Sequence, residues 1–184
     1  MVCIDILHCC DLGITQETLG NVFWEYLKYL CPGKNEHERV GHLWRKIKSY
    51  YKVLKPPSQL QNLTKEMVKH DKKSPKLRAK GAETRHLVSF GLQLAMEMKE
   101  QLGTPHSSTV CQCLSHLMDF YMLISLPKFN AKLAAEASLG FCGLYSALSR
   151  EAAREGQLAW VMKPKIHMFQ EVLNVCLTHL SATQ

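Results

Sequence analysis

Asp5 and His8, three residues apart near the start of a 184-residue chain, are the first pair whose types could do chemistry. An aspartate at a strand end, exposed by a following turn, can hold a divalent metal while a histidine three residues on braces the loop. Two-metal phosphoryl chemistry needs two or more such carboxylates around ions about 3.5–4 Å apart. Asp11 and Glu17 are close in sequence, but no motif brings either of them to Asp5. The same spacing serves a local hydrogen bond between Asp5 and His8. The pair is therefore both a candidate metal-holding site, with Asp5 as ligand, and a candidate structural contact.

His167 and Glu171 form a second pair, because residues four apart share a helix face and can chelate a metal or form an ion pair. The ion pair, or simple exposure, is the plainer state. His37-Glu38 is followed by His42, one residue too far for the zinc-protease pattern. The chain has no Gly-rich phosphate loop, no serine nucleophile elbow and no dinucleotide fingerprint. Eight cysteines stand at 3, 9, 10, 31, 111, 113, 142 and 176, without any Cys-x-x-Cys pair. Cys111 and Cys113 fall in a helical pattern, where residues two apart point about 200° apart, and adjacent Cys9 and Cys10 make poor partners on one tetrahedral ion. A chain this long and apolar needs no disulfide staples, so the thiols read as reduced and mostly buried.

Charge is uneven. Lys34 to Arg85 holds 15 Lys and Arg against 5 Asp and Glu, a local charge of +10, while the rest of the chain carries −3. Lys72, Lys73, Lys76, Arg78 and Lys80 lie in a stretch punctuated by Ser-Pro and Gly, read as a mobile or turn-rich loop, and Arg85 follows shortly after. Cations on such a segment can track phosphates without reading bases, giving weak, salt-sensitive, sequence-indifferent binding. A solvated surface loop and a nuclear import signal are the other readings of the same cluster.

These groups must be positioned by the elements around them. Residues 1 to 10 mix β-branched and apolar side chains, predicting a short strand that leads into a turn at Asp11-Leu12-Gly13. From Thr15, a predicted N-cap, Leu19, Val22, Phe23, Tyr26, Leu27 and Leu30 recur at helical steps until Cys31-Pro32-Gly33. Further helices are predicted from Asn35 to Leu54, at Thr64–Val68, from Leu77 to Leu102, from His106 to Leu126, from Asn130 to Glu155, and from Ile166 to Leu180. The His106 helix is apolar on most sides, which predicts a place at the centre of a bundle. The fold class expected is thus all-α, a bundle of five or six helices with a short extended N-terminal lead. The expected organisation is one helical domain or domain fragment over 1–184: lead and turn over 1–14, a helical region over 15–160, and a final helix within 161–184.

At 46% hydrophobic and 21% charged residues, the chain can bury a core. Its longest apolar runs, such as Phe120 to Ile124, fall far short of the roughly 20 residues a membrane span requires. Without a basic leader at Met1–Cys10, the expected location is intracellular, nuclear or cytoplasmic.

Four blocks carry a resemblance: Asp5-Ile6-Leu7-His8-Cys9-Cys10-Asp11-Leu12-Gly13-Ile14; Gly20-Asn21-Val22-Phe23-Trp24-Glu25; Lys80-Gly81-Ala82-Glu83-Thr84-Arg85-His86-Leu87-Val88; and Lys163-Pro164-Lys165-Ile166-His167-Met168-Phe169. In this order they resemble a protein family, of unestablished function, multiplied across dinoflagellate genomes. More remotely, the Asp-x-x-His block, the long helical stretch and the late Pro-Lys-x-His block resemble the C-terminal half of DDE transposases of the CACTA and KDZ type. That resemblance implies an RNase H-like core with a helical insertion. Asp5 would match the second catalytic acid, His8 the accompanying histidine, and residues 15 to about 160 the insertion. It also implies a chain truncated at both ends, with no cofactor of its own and Mg2+ only in a longer form that restores the missing acids. Three functions follow as expectations. The first is a transposase-derived, non-catalytic fragment that binds nucleic acid through the basic loop. The others are a helical protein-interaction module, and metal-dependent DNA strand transfer within a longer chain.

Overall fold

The computed structural model describes residues 7–169. Among them there is no strand, and five long helices build the all-α bundle that the periodicity predicts: α1 (Gln16–Tyr29), α2 (Glu36–Leu54), α5 (Val88–Leu102), α6 (Pro105–Ile124) and α7 (Ala131–Arg154). Two short helices, α3 (Lys65–Val68) and α4 (Gly81–His86), complete the set, and residues 164–169 begin a further helical turn. The remainder of that predicted last helix lies outside the described residues.

Local chemistry sets most boundaries. Asn35 caps α2 by accepting the Glu38 N–H at 2.9 Å, and the Glu38 carboxylate accepts the Lys34 N–H in return. Thr104 caps α6 through the Ser107 N–H, with Pro105 at the first helical position, where a missing N–H costs nothing. Asn130 caps α7 through the Leu133 N–H. The helix predicted from Leu77 starts instead at Gly81 and breaks at the buried Leu87, which separates α4 from α5.

The start of the chain departs furthest from expectation. Residues Leu7–Thr15 form a π-helix that runs straight into α1 where the end of the extended lead and the turn were expected; residues 1–6 of that lead lie outside the described residues. The predicted turn fails because Asp11 is buried and bound to distant side chains, so its polar group is not left to organise a local bend. Thr15 is helical at φ −71° and ψ −40° and caps nothing; its hydroxyl meets the Tyr121 hydroxyl at 2.8 Å.

The most enclosed helix is α1 rather than α6. Eleven of its fourteen residues are buried, among them Gln16, Glu17, Thr18, Asn21 and Glu25. Its apolar side, with Leu19, Val22 and Phe23, packs toward α5, where Phe23 meets Phe90 edge to face. Its polar side is covered by two irregular straps, residues 69–80 and 155–163. α6 pairs with α7 and α5 and leaves Met122 at its surface.

Candidate functional site

The first strap owes its position to backbone bonds and to one glycine. The Lys76 and Arg78 N–H groups donate to the carbonyls of Val68 and Met67, and the Leu77 N–H donates to the Gln16 carbonyl, each at 2.7–2.8 Å. The Gln16 side chain in turn donates to the Ala79 carbonyl. Gly20 lets the strap lie directly on α1: a Cβ there would stand 2.3 Å from the Lys76 Cα and 2.4 Å from its nitrogen. The segment read from sequence as mobile or turn-rich is thus tied down from Lys76 to Ala79. Its extended run alternates, with Pro75 and Leu77 buried while Arg78 and Lys80 face out and Lys76 is half-buried.

The second strap is fixed by Trp160. Its backbone N–H donates to the Asn21 side chain at 2.8 Å, its indole N–H donates to Glu25, and its ring packs on Tyr145. Trp160 takes φ +50°, a left-handed conformation that costs an aromatic residue roughly 1 kcal/mol or more and persists because these contacts over-determine it.

Between the straps, over α1, runs a groove of about 320 Å³. Lys72, Lys73, Lys76 and Arg78 line one side, Lys163 the other, and Glu17 is the carboxylate among them. Four of the six cations expected to bind nucleic acid therefore converge on one concavity. Lys80 is exposed at the start of α4 and does not line it. Arg85 lies elsewhere, its guanidinium gripping Asp11 through two bonds of 3.2 and 2.7 Å. Tyr121 donates to the same carboxylate at 2.6 Å, and burial together with Asp11 pushes its phenol up. Lys163, which sequence reasoning did not single out, joins the groove only through the second strap.

Glu17 is 7% exposed. Its Oε1 stands 3.5 Å from the Lys76 Nζ, and its Oε2 has no hydrogen-bond partner among the described residues. Burial raises its pKa above the usual carboxylate value, opposed by the attraction of Lys76, Lys163 and Lys165.

A second constellation escaped the sequence altogether. His106, at the start of α6, lies between Glu25 of α1, 3.1 Å from Nε2, and Glu151 of α7, 2.8 Å from Nδ1. Both ring nitrogens face carboxylates, and the bond to Glu25 leads in raising the imidazole to about 9, against the opposing effect of burial. The three line a cavity of about 310 Å³ together with Tyr29 and Met98. With both nitrogens engaged, the histidine acts as a clamp joining three helices. Separations of 81 and 45 residues leave no local signal for it.

Asp5, the expected metal ligand, lies outside the described residues, as does Glu171. His8 belongs to the π-helix, and its carbonyl accepts from Lys165 at 2.8 Å. Among the described residues no three His, Cys, Asp or Glu side chains converge as a metal site. Cys10, Cys113 and Cys142 are buried, and burial raises the Cys142 thiol to about 12. No described helix is long and apolar enough to cross a membrane. No family model, no curated protein and no solved structure matches the chain.

Proposed function

We propose that the chain is a transposase-derived unit that binds nucleic acid weakly and without regard to sequence, and that it does so without catalysing strand cleavage. The observation that carries this reading is the convergence of Lys72, Lys73, Lys76, Arg78 and Lys163 on a single groove whose wall is held by backbone bonds. Cations fixed at one concavity lose less freedom on meeting a phosphate backbone than cations on a loose loop. Their contacts go to phosphates, so affinity falls steeply with salt while base identity matters little. The ancestry rests on the Asp5-x-x-His8 block, the long helical stretch that follows it and the late Pro164-Lys165-x-His167 block.

The test is retention on DNA at low salt and its loss as salt rises. Removal of charge at Lys72, Lys73, Lys76, Arg78 and Lys163 should weaken retention and flatten the salt dependence by roughly 0.9 of a log unit for each phosphate no longer neutralised. Equal retention of that variant rejects the reading.

One observation favours a protein-interaction module instead. Met122, Leu126, Phe129 and Leu133 are all exposed around the turn between α6 and α7. A concentration-dependent rise in molecular mass that Phe129→Ser removes would support it.

A further inference from the structure

Glu17 is the anomaly of the groove. A buried carboxylate normally satisfies both oxygens with hydrogen bonds, because an unpaired charge away from water is costly. Here the nearby Asn21 amide donates to the Glu17 backbone carbonyl, not to the carboxylate. Oε2 has no partner among the described residues, and Oε1 has only the 3.5 Å approach of Lys76. The Lys76 ammonium is itself divided, since it also reaches the Leu12 carbonyl at 3.5 Å. A carboxylate so thinly held, nine-tenths buried in a ring of cations, does little for the fold that a neutral amide would not do.

We infer that Glu17 is a built-in competitor for the ligand of this groove: its carboxylate occupies Lys76 in place of a phosphate, and a polyanion binds by drawing Lys76 away while Glu17 takes up a proton from solvent. This rests on the nucleic-acid reading given above and adds its regulation. The only bond formed is an O–H on a Glu17 oxygen, the proton coming from a buffer acid that is left as its conjugate base, and this cancels the negative charge that would otherwise face the incoming phosphate. Linkage then fixes the sign. A bound polyanion brings like charge toward Glu17 and removes its ammonium, both of which favour the protonated form, so affinity rises as pH falls.

Among the described residues, the charged and titratable groups that face Glu17 come from the elements packed around it. The first strap brings Lys76, with His70, Lys72, Lys73 and Arg78 along the groove. The second strap brings Lys163, the 164–169 helix brings Lys165, and α7 brings the buried Tyr145. His70 is the one histidine among the residues lining the groove, so it has to be controlled.

The experiment measures binding of a labelled oligothymidylate of about 20 nucleotides by fluorescence anisotropy, from about pH 5 to 8 at roughly 50 mM salt. Proton uptake is read by calorimetry in two buffers of different ionisation enthalpy. Wild type should bind about threefold to tenfold more tightly at the acid end and take up protons on binding. Glu17→Gln should bind more tightly than wild type at the alkaline end, with a salt slope steeper by about one neutralised phosphate. Combined with His70→Gln, it should lose its pH dependence and its proton uptake. If Glu17→Gln matches wild type in affinity and pH profile while the lysine-depleted strap variant fails to bind, this inference falls and the nucleic-acid reading stands. Failure of wild type to bind at all removes both. Should Glu17→Gln lose its helical circular dichroism, proton uptake by the His70→Gln protein decides, and its absence overturns the proposal.

Discussion

Gly20→Ala is the sharpest test of how the groove is built. The new methyl carbon would lie 2.3 Å from the Lys76 Cα, 2.4 Å from its nitrogen and 2.6 Å from the Leu77 nitrogen, against an ordinary separation of about 3.5–4 Å. All three atoms are backbone, so no side chain can rotate away and the strap must retreat by about 1 Å or more. That retreat breaks the Leu77 N–H bond to Gln16 and the Gln16 bond to Ala79, at about 1 kcal/mol each. It also lifts part of the fully buried Leu77, at up to about 2 kcal/mol. Alanine returns about 1 kcal/mol of helix propensity. The expected net loss is about 3 kcal/mol in urea unfolding, with faster amide exchange at Leu77 and weaker DNA retention. Gly41→Ala is the matched control: it lies within α2 with nothing within 4 Å of the added carbon, and should stabilise by about 0.5–1 kcal/mol. Unchanged stability and unchanged Leu77 protection in Gly20→Ala would refute the reasoning.

Other outcomes follow from the buried polar contacts. His106, raised from 6.5 to about 9 in the folded chain, binds its proton more tightly folded than unfolded. Its contribution is therefore complete below about pH 6.5 and is lost between there and about pH 9, an upper figure of about 3 kcal/mol. Thermal unfolding should show that decline in wild type, and a His106→Gln protein with the same slope would exclude it. Arg85→Met leaves Asp11, 1% exposed, without its cation. A loss of about 2–3 kcal/mol is expected, less than for a fully buried pair because the Arg85 side chain is 45% exposed, and Asp11→Asn in the same chain should restore part of it. Thiol labelling at about pH 8 should modify half-buried Cys111 well before Cys113 or Cys142. Equal labelling rates by mass spectrometry would contradict the burial described.

Helices with a strong apolar stripe were legible, and Asn35 and Asn130, where two of them were expected to begin, do cap them, whereas Thr104, which caps α6, lies outside the helix expected from His106. The N-terminal segment was not, because Asp11 and Gly13 carry turn chemistry locally, whereas Arg85 and Tyr121, 74 and 110 residues away, claim Asp11 in the fold. The depth of α1 was hidden for a similar reason. Gln16, Glu17, Asn21 and Glu25 lie off the apolar stripe, and most of their partners are strap atoms, Lys76, Trp160 or His106, which no helical periodicity reveals. The density of cations in the strap was plain from the sequence. That Arg85 belongs to Asp11 and that Lys163 joins the groove depended on packing across the bundle.

The main-chain anchors of the first strap on α1 are the Leu77 N–H, the Ala79 carbonyl and the close approach to the bare Cα of Gly20, with the buried Leu77 side chain and the Lys76–Glu17 contact beside them. Main-chain anchors are indifferent to which side chains they carry. Lys72, Lys73 and Arg78 can therefore be rewritten, to acids, to neutral residues or to a different spacing of cations, while the scaffold stays as it is. The molecule separates what holds the groove from what faces its ligand, so descendants of one backbone could change the charge they display without having to learn to fold again.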